Sequence, residues 1–344
     1  MSTRRSFKYA LIRTGLEVIA LSRAHSWWPS AAGRGVIFTL HHVRPSRGLS
    51  PDPNAGLAVT PEFLDDALGL CLEAGLVPVA VEDLPRLLAD SSDIRSFVSF
   101  TLDDGYRDNA EHAAPVFRKH GVPYTIFITA GFVERSRSMW WQTAAALLAE
   151  RERIDFDFGA GSERLEVSTP AQKLAAYDRF ANFVETIDED EAVRRIDDLA
   201  LRCGIDPLAI VSDLTMDADE LRALAGDPLA RFGAHTLTHV NLRRVSDARL
   251  HEEIASSAKA VENYVGRYPA SFAYPYGFPA AVGAREIDAA ARAGFAVAVT
   301  TQPGVLTEQN LHRPTAFNRV SLNGHFQKRR YVEALLSGLA FKFM

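Results

Sequence analysis

Two short polar stretches contain the residues whose types and spacing could do chemistry. The stretch FTLDDGYRDN ends an apolar run with two adjacent carboxylates, Asp103 and Asp104. The stretch RFGAHTLTHVNL carries His235 and His239, four positions apart. Two neutral imidazoles and one carboxylate are a common ligand set for a catalytic divalent metal. One aspartate would then bind the metal, and its neighbour would act as a base on a water beside it.

Each stretch alone also has an ordinary structural interpretation. The paired aspartates suit a helix N-cap with a spare surface carboxylate, and a single histidine is often a half-buried residue. A third stretch, SFAYPYGF, puts a sharp Pro-Tyr-Gly turn straight after an apolar run. That turn would leave a free backbone N–H at the mouth of a site, although it also fits a plain turn with core aromatics.

The elements that must position these residues are short apolar runs bounded by turn residues. Such runs are typical of strands covered on both faces. Helical patterns lie between them; one begins with Thr60 as N-cap and Pro61 at its first position, and stops at Gly75. Strand, helix, glycine and strand in repetition predict an α/β protein with parallel strands, either a barrel or an open sheet. The predicted strands are 35–43, 76–81, 96–104, 123–131, 271–277 and 295–301.

Composition sets broad limits on function. The chain has 344 residues, of which 47% are hydrophobic and 24% charged, as in ordinary soluble globular proteins. A formal net charge of -5 argues against general nucleic-acid binding. Cys71 and Cys203 have no metal or redox spacing, and we interpret both as packing residues. Long, charged, helix-periodic segments between residues 140 and 231 predict a helical insertion.

The N-terminal segment predicts an amphipathic helix. Leu11, Ile12, Leu16, Ile19 and Ala20 recur at helical spacing, so packing on the domain is favoured over contact with a membrane surface. Charged residues interrupt the apolar stretch and no small-residue cleavage site follows it, so we do not expect a secretory signal. No stretch reaches the roughly 18–20 apolar residues of a membrane span. A cytoplasmic location is expected.

Together and in this order, the three stretches resemble the motifs of polysaccharide deacetylases of the NodB-homology type. Those enzymes carry Thr-Phe-Asp-Asp-Gly, then His-Ser/Thr-x-x-His, then a turn of Arg-x-Pro-Tyr form. The counterparts here are Thr101–Gly105, His235–His239 and Ala273–Gly277. The resemblance implies a distorted (β/α) barrel of about seven strands. It also implies an enzyme that hydrolyses N-acetyl groups on amino sugars with a divalent metal, usually zinc.

Position by position, the resemblance implies Asp103 as general base and Asp104, His235 and His239 as metal ligands. It further implies that the backbone N–H of Tyr276 helps to form an oxyanion hole. We expect three parts in the chain: an N-terminal amphipathic helix over residues 1–34, a deacetylase-like barrel over 35–325 with a helical insertion at about 140–230, and a C-terminal helix or tail over 326–344.

The chain departs from the family pattern at two points. Ala273 stands where many relatives have an arginine that orients the base, and Arg319, thought to follow a closing strand, is the candidate replacement. The late Leu-x-His motif that supplies the general acid has no convincing match. Relatives with a Phe-Ala-Tyr-Pro-Tyr-Gly motif look circularly permuted, with an N-terminal histidine in this role. We therefore prefer His41 over His42, and both over His312.

The expected activity is metal-dependent removal of N-acetyl groups from an amino sugar of a surface polysaccharide, an oligosaccharide or a lipid-linked glycan. Two alternatives stay open at this stage. One is a carbohydrate-binding pseudoenzyme on the same fold, which the two departures favour. The other is a hydrolase of a non-sugar amide, against which the complete set of metal ligands counts. Peripheral membrane contact through the terminal helices is a further possibility, and the oligomeric state is not predicted.

Overall fold

A curled sheet of parallel strands forms the centre of the protein. The computed structural model describes residues 3–22, 28–46 and 52–342, with the backbone alone for 3–6 and 29. The strands of the protein, in this sheet and in two small two-stranded sheets, are β1 (Gly35–Leu40), β2 (His42–Val43), β3 (Ala58–Val59), β4 (Val77–Pro78), β5 (Phe97–Leu102), β6 (Tyr124–Ile128), β7 (Arg153–Asp157), β8 (Ser162–Glu166), β9 (Ala230–Ala234), β10 (Ser271–Ala273), β11 (Val297–Val299) and β12 (Val320–Ser321).

Helices surround this sheet. They are α1 (Thr3–Ser22), α2 (Pro61–Glu73), α3 (Leu84–Ala89), α4 (Ala114–His120), α5 (Ala130–Val133), α6 (Trp140–Glu150), α7 (Pro170–Thr186), α8 (Glu189–Arg202), α9 (Pro207–Leu214), α10 (Ala218–Leu224), α11 (Asp247–Val265), α12 (Ala284–Arg292) and α13 (Arg329–Leu336). The Thr60 side chain caps α2 by accepting a hydrogen bond from the Phe63 N–H, as the Thr-Pro pattern predicts.

The main sheet has the strand order β11-β10-β9-β6-β5-β1-β12, with β4 also paired to β5. Every pairing in it is parallel. A single parallel bridge between Val299 and Phe317 joins the end of β11 to the segment before β12. The seven strands thus curl into a distorted (β/α) barrel, which confirms the fold class predicted from the sequence.

Successive side chains along each strand point in turn to the outside and to the inside of the barrel. Val36, Phe38 and Leu40 of β1 pack outward in the core shared with the helices, whereas Ile37 packs inward with Phe97. Side chains on a strand point to opposite faces in turn. The inward set of β1 and β5 therefore continues to His41 and Asp103 at the strand ends. The sequence pattern thus delivers both residues to the mouth of the barrel.

Two strands of the main sheet were not among the predicted apolar runs. In β9 the sequence ARFGA looks unlike a buried strand, because Gly233 interrupts it. A Cβ at Gly233 would come within 2.3 Å of the Phe127 ring, so only glycine fits beside that side chain. The other strand, β12, has only two residues and directly follows Arg319. The expectation that Arg319 follows the closing strand is therefore wrong, since it precedes it.

The segment between β6 and β9 is not purely helical. Helices α6 to α10 surround an antiparallel hairpin, in which Ile154 pairs with Leu165. The prediction of a helical insertion is therefore wrong over residues 153–157 and 162–166, which form β7 and β8. Ile154 and Phe156 alternate with exposed polar residues and pack into a second hydrophobic core, which a strand allows. Gly159 and Gly161, both with positive φ, form the turn between the strands.

The first and last described helices pack on each other. Leu16 of α1 is buried against Tyr331 and Ala334 of α13, with Ile12 and Ile19 beside it. The Glu17 carboxylate accepts hydrogen bonds from Lys328, Arg330 and Tyr331. One face of the predicted amphipathic helix is thus packed on the protein, but Leu11 is exposed rather than buried. Residues 1–2, 23–27 and 343–344 of the predicted terminal parts lie outside the described residues. No helix among those described is long and apolar enough to cross a membrane.

Candidate active site and metal centre

Polar residues follow the barrel strands at one end of the sheet. Asp103 and Asp104 come directly after β5, His235 directly after β9, and His41 directly after β1. Because all of these strands are parallel and adjacent or nearly so, their carboxyl ends meet at the same mouth of the barrel. This edge is where α/β barrels build their sites.

Two of these side chains, together with His239, could hold a metal ion. One ligand atom from each of Asp104, His235 and His239 lies within 4.8 Å of the others, and all three residues are largely buried. The Asp104 Oδ1 atom lies 3.6 Å from His235 Nε2 and 3.4 Å from His239 Nε2. Asp104 Oδ1 has no hydrogen-bond partner among the described residues. A buried carboxylate oxygen without a partner is costly, and a cation between these atoms would offset that cost.

The tautomer of His235 suits a metal ligand. Its Nδ1 lies 2.7 Å from the Ala273 carbonyl oxygen, which can only accept a hydrogen bond. Nδ1 therefore carries the proton, and the Nε2 lone pair faces Asp104. The chemistry of the donor set therefore fits a divalent cation.

Charges in the centre follow from its burial. Burial lowers the pKa of His235, and lowers that of His239 well below its ordinary range, with the neighbouring His235 adding to the effect. Both rings are therefore neutral at neutral pH, as metal ligands must be. Burial, and then the adjacent Asp103 carboxylate, raise the pKa of Asp104 well above its ordinary value. A cation bound here would favour the ionised form of Asp104 and so oppose this rise.

Unusual backbone conformations concentrate at the site. Five described residues other than glycine have positive φ, and four of them lie in the three motifs: Asp104 (74°), Thr236 (66°), His239 (56°) and Tyr276 (62°). Such conformations are costly for residues with a Cβ and persist only where the surroundings fix them. Glu253 of α11 helps to fix the histidine loop, because its carboxylate accepts hydrogen bonds from the backbone N–H groups of Leu237 and Thr238.

Arg319 lies against Asp103 in a two-bond ion pair. Its Nη1 and Nη2 atoms donate to the two carboxylate oxygens at 2.7 and 2.8 Å. Nε donates to the Thr300 carbonyl and Nη1 also to the Thr101 hydroxyl, so the buried guanidinium is held from three sides. Burial opposes the charge of Asp103, but the Arg319 guanidinium outweighs it and holds the pKa of Asp103 below the usual range. Asp103 is therefore an oriented, ionised acceptor.

Tyr276 has the fixed turn that the third motif suggests. Its hydroxyl donates to Glu189 Oε1 at 2.6 Å and accepts from Trp140 Nε1 at 3.2 Å. Thr301 Oγ1 donates to the Tyr276 carbonyl oxygen at 2.7 Å. Within the described part of the chain, the backbone N–H of Tyr276 donates to no other group. It is therefore free to donate to a ligand.

The three candidate histidines occupy different environments. His41 is partly exposed at the barrel mouth, and burial lowers its pKa to about 4, against the opposing effect of the Asp103 charge. His42 is fully buried; its Nδ1 lies 2.6 Å from Asp108 Oδ2, and its ring stacks on Tyr106 at 3.6 Å between centroids. His42 is therefore held by two residues of the segment that follows β5.

His312 lies far from these groups along the barrel. It ends a short 3₁₀ helix (Glu308–His312) that follows Leu306. The Leu306 N–H donates to the carbonyl of Gly35, the first residue of β1, and its carbonyl accepts from the Arg34 N–H. The chain here therefore runs at the amino end of the strands, opposite the metal centre. Of the three histidines, His41 is the one that continues the inward-facing set of β1 to the end of the sheet that carries Asp103 and His235.

Sequence reasoning missed the residues that the insertion adds to the site. Glu189, the first residue of α8, is buried; its Oε1 accepts from the Tyr276 hydroxyl and its Oε2 from the Asn241 N–H at 2.8 Å. The rings of Trp141 and His239 lie 4.8 Å apart between centroids. Glu189 lies within the run DEDEAVRR, which has the appearance of an exposed helix start, and nothing in that pattern distinguishes the one buried carboxylate.

The sequence matches the family profile described as polysaccharide deacetylase over residues 91–160 and 184–298. These segments cover more than half of the chain, and they contain the Asp-Asp pair, both site histidines and the Tyr276 turn. The protein therefore belongs to the polysaccharide deacetylase family. It is an enzyme of that class, a hydrolase that acts on amide bonds and deacetylates polysaccharides.

Solved structures share the fold. The deacetylase PplD of Streptococcus pyogenes, solved with acetate, superimposes with a TM-score of 0.54 at 16% identity, over 84% of this chain and 92% of that one. A polysaccharide deacetylase from Bacillus cereus gives a TM-score of 0.54 at 14% identity, over 87% of this chain and 68% of that one. No curated protein matches the sequence. At these identities the likeness concerns the fold alone.

Proposed function

We propose that this enzyme removes the N-acetyl group from an amino sugar in a surface polysaccharide, an oligosaccharide or a lipid-linked glycan, and that it uses zinc to do so. The observation that carries the proposal is the convergence of Asp104, His235 and His239 within 4.8 Å of one another, beside the paired Asp103 and Arg319. The pseudoenzyme alternative loses its main support, because a guanidinium does meet Asp103 despite Ala273.

Asp104, His235 and His239 would hold the metal. When bound, such an ion acts as a Lewis acid that polarises a carbonyl and lowers the pKa of a water to about 7. Two nitrogen ligands and one oxygen ligand, all able to point at one spot, suit zinc with a position left open. The other groups of the site act through their own hydrogen bonds and protons.

Asp103 would take the proton of the attacking water, whose oxygen adds to the amide carbonyl carbon. Arg319 keeps this carboxylate ionised and fixes its direction. The N–H of Tyr276 would donate to the oxyanion that develops on the carbonyl oxygen, an interaction whose loss typically costs about 3–4 kcal/mol. The carbon–nitrogen bond then breaks, giving acetate and an amine that needs a proton.

His41 would deliver that proton. Its ring is neutral in the free protein near pH 7, because burial lowers its pKa to about 4. We therefore place proton uptake by His41 within the substrate complex, when Asp103 has become neutral by accepting the proton of the water. A carboxylic acid with a depressed pKa gives its proton up readily, and imidazole is a suitable relay near neutral pH.

Acetate release tests the proposal. The protein, stripped of metal and reloaded with Zn²⁺, is incubated with N-acetylated chitooligosaccharides and other acetylated glycans, and acetate is measured. We expect release that depends on added metal and is lost in Asp103→Asn protein. Metal-loaded wild-type protein that releases no acetate from any of these substrates would refute the proposed reaction. Release that a chelator leaves unchanged would refute the role of the metal.

A further inference from the structure

One face of helix α1 is apolar and exposed. Phe7, Leu11, Val18 and Leu21 are each at least 60% exposed. Their spacing of four, seven and three residues places them along one side of the helix. The opposite side is the one that packs Leu16 on α13. Four of the ten large hydrophobic side chains that are exposed among the described residues thus lie on this single helix face, which we call the α1 outer face.

The hydroxyl groups on this face do not depend on water for a hydrogen-bond partner. Thr14 Oγ1 donates to the Ala10 carbonyl at 2.9 Å, and Ser22 Oγ to the Ile19 carbonyl at 3.1 Å. Both hydroxyl groups are therefore satisfied by the helix itself. Gly15 on the same side adds no bulk and has no atom of a neighbouring element within 4 Å of an added Cβ. The face can therefore enter an apolar medium with little polar desolvation.

Positive charge is concentrated in the two terminal segments of the sequence. Residues 1–23 contain five Lys or Arg and one Glu, and residues 326–344 contain four Lys or Arg and one Glu. These two segments thus carry +7, whereas the whole chain carries -5 and the remainder therefore -12. Lys8, Arg13 and Lys342 are exposed, and Glu17 is occupied by Lys328 and Arg330. The surroundings of the α1 outer face are positive on an otherwise acidic protein.

We infer that the α1 outer face docks the enzyme on an anionic lipid bilayer. An amphipathic helix with basic flanks lies in the interface with its apolar side about 5–10 Å deep, and anionic headgroups attract the basic residues. The acidic remainder of the protein would be repelled, which orients the molecule. A second copy of the chain fits this face less well, because two positive ends would then meet. The inference does not depend on the proposed reaction.

Vesicle flotation tests the inference with the full chain. We expect wild-type protein to float with vesicles of phosphatidylglycerol and phosphatidylcholine in equal amounts, and to stay behind with pure phosphatidylcholine. Binding should weaken as salt is raised. The Phe7→Ser, Leu11→Ser double variant and the Lys8→Glu, Arg13→Glu double variant should each bind at least about tenfold more weakly.

Leu201→Ser provides the matched control, because Leu201 is an exposed apolar residue on α8 of the insertion. It should bind as the wild type does. Melting temperatures should be equal across the variants, since every substituted side chain is exposed. Wild-type protein that floats with neither vesicle, or binding equal in all variants, would overturn the inference. A dimer in light scattering that Phe7→Ser, Leu11→Ser abolishes would assign the face to a second copy and overturn it too.

Discussion

The Arg319 guanidinium and the Asp103 carboxylate form a buried, two-bond ion pair between residues 216 positions apart in the sequence. A buried pair of this kind is weak evidence for stability, because desolvation offsets much of the attraction. Its geometry, however, sets the direction of the carboxylate that faces the metal centre. Arg319, near the end of the barrel sequence, thus provides the cation that the family's motif arginine, replaced here by Ala273, would provide.

Replacing Arg319 by methionine should impair both folding and turnover. The change leaves the buried Asp103 charge unpaired, so the free energy of unfolding should fall by about 3–5 kcal/mol. Loss of orientation should lower kcat by about 100-fold or more. Arg319→Lys keeps the charge but not the paired hydrogen bonds, so its stability and kcat should lie between those of the wild type and of Arg319→Met. Denaturant titration and acetate assays measure these effects; wild-type kcat in Arg319→Met would contradict the positioning role.

Much of the site could be predicted from local patterns, and the rest could not. The Asp-Asp-Gly and His-x-x-x-His stretches point to the three residues that lie together as candidate ligands, because each stretch lies within a few residues and in family order. Neither the pairing of Arg319 with Asp103 nor the burial of Glu189 has a local signature, since both depend on where distant elements pack. The same holds for β9, where Gly233 breaks the apolar run to make room for Phe127.

Metal content should separate the two adjacent aspartates. Asp104→Ala and His239→Ala each remove one of three ligand donors, so bound zinc should fall sharply in both. Asp103→Asn should keep its zinc yet lose nearly all turnover, because an amide cannot accept the proton of the water. Elemental analysis of the dialysed proteins gives the metal content. Equal metal loss in Asp103→Asn and Asp104→Ala would mean that the two carboxylates share the ligand role.

His41 and His42 should respond differently to substitution by alanine. His41→Ala should lower kcat by about 100-fold or more with little change in stability, since its ring lies at the mouth and would supply a proton. His42→Ala should lower the free energy of unfolding by about 2 kcal/mol, because Asp108 Oδ2 loses its imidazole partner and Tyr106 loses the ring packed on it. The reverse pattern would exchange the two roles.

The pH dependence of stability should reveal Asp197, a half-buried carboxyl of α8. Burial raises its pKa from 3.8 to about 6, although Ser138 donates a hydrogen bond to it at 2.6 Å. Above pH 6 the Asp197 carboxylate is therefore ionised in both states, but it is poorly solvated in the folded protein and fully solvated in the unfolded chain. As the pH falls from about 7 to 4, the folded form binds the proton first, and this cost disappears.

Asp197→Asn should therefore raise the free energy of unfolding by about 1 kcal/mol at pH 8 and leave it unchanged near pH 4. Asp198→Asn is the matched control, because Asp198 pairs with Arg194 at 2.7 Å on the surface, and its loss should stabilise at neither pH. Denaturant titrations at both pH values decide the matter. A gain of equal size at pH 4 would show that the substitution acts through packing and not through the charge.

The contact between Glu189 and Tyr276 should couple the insertion to catalysis. Glu189 Oε1 accepts from the Tyr276 hydroxyl, and that hydroxyl is what holds the ring of a residue whose backbone has a φ of 62°. Glu189→Gln keeps the size of the side chain but can accept through one oxygen only, so either the Tyr276 hydroxyl or the Asn241 N–H loses its acceptor. We expect kcat to fall about tenfold with KM little changed, because the Tyr276 N–H would act only in the transition state.

Tyr276→Phe should cost about as much, and the double variant little more than either alone, since both changes remove the same contact. Additive losses in the double variant, or an unchanged kcat in Glu189→Gln, would leave the insertion without a part in positioning the oxyanion donor.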